Sequence, residues 1–122
     1  MPLTWGRHGR GFMYARIMVP VDLQHVDKLG KALGTAADLA HRYQAELWYV
    51  AVTGKVPNRA AKTPEQFATE LEHFAAEKGR ELDVEVHAKS ISSVDVTVEL
   101  DDTLIAAAHE ISADLIVMAS HI

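Results

Sequence analysis

Asp22 is the residue best placed to do chemistry. It directly follows Arg16-Ile17-Met18-Val19-Pro20-Val21, an almost unbroken apolar run. A carboxylate at the end of a buried strand stands at the mouth of the crevice that such strands make, and an ionised carboxylate only accepts hydrogen bonds. It suits an exocyclic amine such as that of adenine. The same position also reads as the cap of the following helix, or as a solvated loop acid. A second candidate is Ser120-His121, just past another apolar run, Asp114-Leu115-Ile116-Val117-Met118-Ala119. His121 there either approaches a phosphate or faces solvent in a turn. The remaining chemistry-bearing residues form no recognisable machinery. Seven histidines are present, none in H-E-x-x-H or a comparable ligand spacing. His41, His73 and His109 fall among helix residues and are expected to be exposed. Asp101 and Asp102 are explained by helix capping rather than by metal. Gly54-Lys55 lacks the upstream glycine and the following Ser or Thr of a phosphate-binding loop. Ser92 and Ser93 have no partnered base, and no G-x-S-x-G occurs. With no cysteine, disulfides, thiolate zinc sites and cysteine nucleophiles are excluded.

Positioning Asp22 and Ser120 requires strands and helices in alternation. The run from Arg16 to Val21 shows no polar alternation, as expected of a strand covered on both faces, and Pro20 should end it. Val26, Leu29, Gly30, Leu33, Ala36, Ala37, Ala40 and Tyr43 recur at three- and four-residue steps and predict one long amphipathic helix. Leu47 to Val52 reads as a second buried strand, with Trp48 and Tyr49 on opposite sides. Gly54 to Lys62 reads as a loop. Thr63, Pro64 and Gln66 then mark a helix start with a capping box. Phe67, Leu71, Phe74, Ala75 and Lys78 share its inner face, and Gly79 is placed to end it. Val84, Val86 and Ala88 alternate with Glu85 and His87 as a third strand. The alternation of Val94, Val96, Val98 and Leu100 predicts a short extended stretch. Asp101 or Asp102 then caps a third helix with Leu104, Ile105, Ala108 and Ile111 inward, and Asp114 to Ala119 is the fourth strand. The order β-α-β-α-β-α-β argues an open, doubly wound, Rossmann-like parallel sheet.

The chain has 122 residues, 48% hydrophobic and 24% charged, which suits one globular domain. Its 12 basic and 17 acidic residues give a net charge of −5, an unpromising balance for gripping nucleic acid or an anionic membrane. No segment approaches the about 18 uninterrupted apolar residues of a membrane helix. The Gly-rich residues 1–13 are expected to be a flexible tail, with Met13 a possible natural start, and residues 14–122 the domain. A cytoplasmic protein is the expectation.

Arg16 to Asp22, followed by an Ala-rich helix, resembles the opening of a universal stress protein. Ala113-Asp114-Leu115-Ile116-Val117-Met118-Ala119-Ser120-His121 resembles the same family's "ADLIVMGSHG" strand and turn. The resemblance runs from about Tyr14 to the last residue. It implies an adenine nucleotide alpha hydrolase-like architecture with strand order 3-2-1-4, a usually dimeric assembly, and binding of ATP or AMP by a stress-response regulator rather than an enzyme. Asp22 would hold the adenine amine. Pro20, Val21 and Val52 would surround the base, and Met118, Ala119, Ser120 and His121 would open the phosphate turn. The family's nucleotide motif is G-x2-G-x9-G-[ST], and here Ala119 and Ile122 occupy its first two glycine positions. Its last two positions, the fourth helix and the fifth strand are missing, so the sequence reads as truncated, with impaired phosphate binding and an open edge that invites self-association. A non-nucleotide-binding dimerisation module of the same fold is the alternative.

Overall fold

The structure, a computed structural model, describes residues 16–54, 63–93 and 96–119, with backbone alone at 54, 93 and 96–101. The expected N-terminal tail, most of the Gly54–Lys62 loop, Val94, Ser120, His121 and Ile122 therefore lie outside the described residues.

The elements run β1 (Arg16–Pro20), a 3-10 turn (Leu23–Lys28), α1 (Gly30–Tyr43), β2 (Glu46–Gly54), α2 (Pro64–Leu82), β3 (Val86–Ser93), α3 (Val96–Glu110) and β4 (Leu115–Ile116). The strands form one parallel sheet in the order β3-β2-β1-β4. This is the doubly wound α/β architecture expected. β1 is central, and Ile17, Met18 and Val19 are fully buried, because consecutive strand residues face opposite layers and both layers are covered.

On one face, Ile17, Val19, Leu47, Tyr49 and Ala51 pack with Leu33, Ala36 and Ala40 of α1 and Leu71 and Ala75 of α2. On the other, Met18 and Val50 pack with Leu104, Ala107 and Ile111 of α3, with Trp48 alongside. Trp48 and Tyr49 therefore do serve opposite layers.

The capping box of α2 is present in full. Gln66 N–H donates to Thr63 Oγ1 at 3.1 Å, and Thr63 N–H donates to Gln66 Oε1 at 3.0 Å. Other expectations need correction. Gly79 does not end α2, which continues to Leu82 and closes on Asp83 in the left-handed region (φ 58°). Gly79 is there for close approach, since a Cβ on it would lie 2.7 Å from the Val84 carbonyl oxygen. Gln44 and Ser112 also carry positive φ near chain turns, so no helix end here is marked by glycine. The stretch Val96–Leu100 is helical rather than extended. β3 runs on to Ser93 beside β2, and the parallel return to β4 needs a long crossover, which residues 96–110 supply. Asp101 and Asp102 consequently sit inside α3 rather than at its start, and Ile105 is exposed, with Ala107 taking the inward position. Finally, the predicted long first helix is broken: a 3-10 turn precedes α1, Val26 and Gly30 are exposed, and β4 pairs over only two residues.

Candidate functional site

In a parallel sheet with helices on both faces, side chains that meet a ligand collect at the carboxyl ends of the strands, where the crossovers diverge. Here that divergence lies between β1 and β4. The crossovers from β1 and β2 cover one face, and the crossover from β3 to β4 covers the other. The register Ile17↔Leu115 and Met18↔Ile116, extended by Val117 N–H donating to the Met18 carbonyl at 2.9 Å, sets the two strands side by side in one direction. The segment Pro20-Val21-Asp22 and the segment Met118-Ala119 therefore leave the sheet at the same rim.

The rim residues differ in what they present. Pro20 is half-buried. Val21 is buried among the α1/α2 layer, and its N–H donates to the Val50 carbonyl at 2.8 Å, which prolongs the strand by one residue. Ala119 packs at the edge of the same layer, whereas Val52 belongs to the α3 layer. Val21 and Val52 thus lie on opposite sides of the sheet rather than on one pocket wall. Met118 is 62% exposed. Ser120 and His121 lie outside the described residues.

Asp22 is exposed and caps the 3-10 turn. Its Oδ1 accepts from Gln24 N–H at 3.0 Å, and its Oδ2 lies 2.8 Å from His25 Nδ1. The capping role weighed from sequence is therefore present. His25 is not among the residues singled out from sequence, although the Asp22-x-x-His25 spacing across a cap brings the two side chains onto one side of a tight turn.

A second polar cluster sits toward the other rim. Arg16 Nη1 donates to the Ile111 carbonyl at 2.7 Å, its Nε lies 3.2 Å from Glu46 Oε1, and its backbone N–H donates to Asp114 Oδ2 at 2.9 Å. Trp48 Nε1–H donates to Glu46 Oε1 at 3.0 Å, and the Trp48 indole stacks on His87 with centroids 4.8 Å apart. The Trp48 hydrogen bond, helped by Arg16, holds the Glu46 carboxyl below its ordinary range against the opposing effect of partial burial. These contacts tie β4, β1, β2 and β3 together across the sheet, and their role is structural.

Two shallow concavities lie away from the carboxyl rim, one beside Gly79, Arg80 and Asp83 and one along Glu65, Thr69 and His73 on α2. The first lies where α2 turns into β3. Among the described residues, no group of three or more His, Asp or Glu side chains comes together to hold a metal ion. Among the same residues, no helix is long and apolar enough to cross a membrane.

Comparison with known proteins follows the same lines. No curated protein matches this chain. Among solved structures, one from the universal stress protein family of Burkholderia pseudomallei is 25% identical. The match covers 91% of this chain and 85% of that one, with a TM-score of 0.68. A universal stress protein from Archaeoglobus fulgidus is 23% identical, covering 86% and 75%, with a TM-score of 0.64. A universal stress protein solved in complex with cAMP is 16% identical over the same shares, with a TM-score of 0.61. The latter two carry the fold alone. The model of the Universal stress protein family matches residues 13–122, nearly the whole chain, and the chain belongs to that family.

Proposed function

We propose that this chain is an adenine-nucleotide-binding stress-response protein that works by binding ATP or AMP rather than by catalysis. The observation that carries the reading is the parallel pairing of β1 with β4, which brings Asp22 and Met118-Ala119 to one rim. A carboxylate beside a strand-to-turn backbone suits a ligand with an amine at one end and phosphates at the other. In this reading Asp22 accepts from the adenine amine, Pro20 and Val21 line the base, Val52 on the other side of the sheet takes no part, and the chain from Met118 onward supplies the phosphate side. A family member solved with cAMP is a precedent for a nucleotide on this fold.

Phosphate binding is the weaker half of the proposal. Ala119 and Ile122 stand where the family motif has glycines, and a β-branched residue resists the left-handed backbone that cradles an anion. Base and ribose should therefore supply most of the affinity. Calorimetry with ATP, AMP and adenosine tests this. Similar affinities for all three are expected, with Asp22→Ala weakening each about tenfold while the circular dichroism stays unchanged. Absence of binding by all three at millimolar concentration would overturn the nucleotide reading. It would leave the competing one, an interaction module of the same fold, which is favoured by the prior commitment of Asp22 to Gln24 and His25.

The proposal extends to a cytoplasmic homodimer that binds neither nucleic acid nor membrane. The net charge of −5 supports the latter part. The exposed Ile116 and Met118 beside the β4 edge support self-association. A monomer by light scattering at high concentration would count against the dimer.

A further inference from the structure

Both oxygens of the Asp22 carboxylate are engaged, and only one of the two partners is fixed backbone. Oδ1 takes the Gln24 N–H, a cap set by the turn itself. Oδ2 takes the ring of His25 at 2.8 Å. His25 reaches it because its backbone departs from helical values inside the turn (φ −135°, ψ 42°), while its own N–H donates to the Asp22 carbonyl at 3.0 Å. The side chains of His25 and Asp22 are 55% and 60% exposed, so protons and small ligands both reach the pair.

We propose that Asp22 and His25 form a proton-controlled clasp, in which the charge state of the imidazole sets how well the Asp22 carboxylate accepts a hydrogen bond at the rim. The clasp rests on the nucleotide reading only for the identity of the arriving donor, the adenine amine. With the imidazole neutral and Nδ1 protonated, the ring donates one hydrogen bond and orients the carboxylate, which has lone pairs to spare. With the imidazole protonated, the same contact becomes an ion pair, and the carboxylate charge is drawn toward the ring and away from the rim. His25 is thus a positioning residue for Asp22. Asp27 and Lys28 on the same turn and Lys31 in the first turn of α1 are exposed. Among the described residues, no hydrogen bond or ion pair joins Asp22 or His25 to a charged group of α1, β2 or β4.

Two measurements on the full chain test the clasp. The first needs no ligand. The Asp22 carboxylate carbon shift is followed by NMR from about pH 8 to pH 5, the span in which histidine side chains ordinarily change charge. A step is expected in wild type that disappears in His25→Gln. The second is adenosine binding, chosen because adenosine has no phosphate to titrate. The wild-type affinity should fall about two- to fivefold over that range, as expected of an exposed pair, while His25→Gln stays flat near the wild-type value at pH 8. A carboxylate shift that ignores His25, or identical pH profiles for the two proteins, would overturn the clasp. Failure of adenosine to bind at any pH, with the NMR step intact, would overturn the nucleotide reading and leave the clasp standing.

Discussion

The two faces of the sheet are held by different physics. The face under α1 and α2 is a continuous apolar layer, closed by Leu33, Ala36 and Ala40 on one helix and Leu71 and Ala75 on the other. The face under α3 has one helix over the same strands. Among the residues whose side chains are described, its buried part comprises Met18, Val50, Leu104, Ala107 and Ile111, and Ile105, Ile116 and Met118 stay exposed. Where apolar cover runs out, charged and aromatic contacts take over: Arg16 with Glu46, Glu46 with Trp48, Trp48 with His87, and Lys89 with Glu110 at 3.1 Å. Close packing stabilises the first face, and hydrogen bonds that respond to pH supplement the second.

Truncating one leucine on each face measures that difference most directly. Leu71 is fully buried between α2 and the sheet, and Leu71→Ala should cost about 4 kcal/mol, the removed methylenes plus a cavity that its neighbours cannot fill. Leu104 lies on the thinner layer, where α3 can settle onto the sheet, and Leu104→Ala should cost about 2 kcal/mol. Urea unfolding of both variants gives the comparison. Equal losses would mean that the α3 layer is as rigid as the other and that the contrast between the faces is only one of area.

Legibility from sequence divides along the same line. β1, β2, α1 and α2 were readable because their periodicities serve one closed apolar layer, and Thr63-Pro64-Glu65-Gln66 carries its own start signal. The departures on that side are confined to element ends, where a 3-10 turn precedes α1 and α2 runs past Gly79, whereas on the α3 side they change an element's type and its inward face. Val96, Val98 and Leu100 have a period of two and β-branched members, yet the need for a crossover back to β4 made them helical. Ile105 was placed inward because a pattern of apolar residues does not tell how wide a stripe the sheet can cover. The candidate site was half legible. Asp22 was visible as the end of an apolar strand, and both its capping and ligand-binding readings could be named. Its contact with His25 is hinted at by the Asp22-x-x-His25 spacing but depends on a backbone kink at His25.

The ionic supplement of the α3 face predicts a smaller, pH-dependent effect. Glu46 has its carboxyl pKa lowered in the folded state, chiefly by the Trp48 N–H. A lowered acid contributes stability that is present above its unfolded value, near 4.5, and is lost as the pH falls through the folded value. Glu46→Gln keeps an oxygen for Trp48 but removes the charge. It should cost about 0.5 kcal/mol at pH 7, since the side chain is 41% exposed and the pair with Arg16 is screened. As the pH falls below 4.5 the gap between the two proteins should narrow in denaturant unfolding. A gap that stays unchanged as the carboxyl is protonated would mean that packing of the side chain, and not its charge, holds the Trp48 corner.

An effect of similar size and opposite sign at pH 7 is expected from the one buried side-chain polar atom that lacks a hydrogen-bond partner among the described residues. Tyr49 is fully buried on the α1/α2 side, its ring tilted against Phe74 at 5.8 Å, and its hydroxyl has no hydrogen-bond partner among the described residues. A buried hydroxyl without a partner loses its water and gains nothing in exchange. Burial first, and the charge of Glu81 second, push the Tyr49 pKa up to about 12 from an ordinary 10.0. A raised folded pKa contributes stability that is whole below the unfolded value and is lost as the pH rises toward the folded one, so wild-type stability should fall between those values. Tyr49→Phe keeps the ring and removes both liabilities. It should raise stability by about 0.5 kcal/mol at pH 7, and by more as the pH rises above 10.0, with the other tyrosines and the lysines cancelling in the difference between the two proteins. A loss of more than about 1 kcal/mol at pH 7 would show that an internal water satisfies the hydroxyl, and the α1/α2 layer would then be less dry than the α3 layer with which it is contrasted.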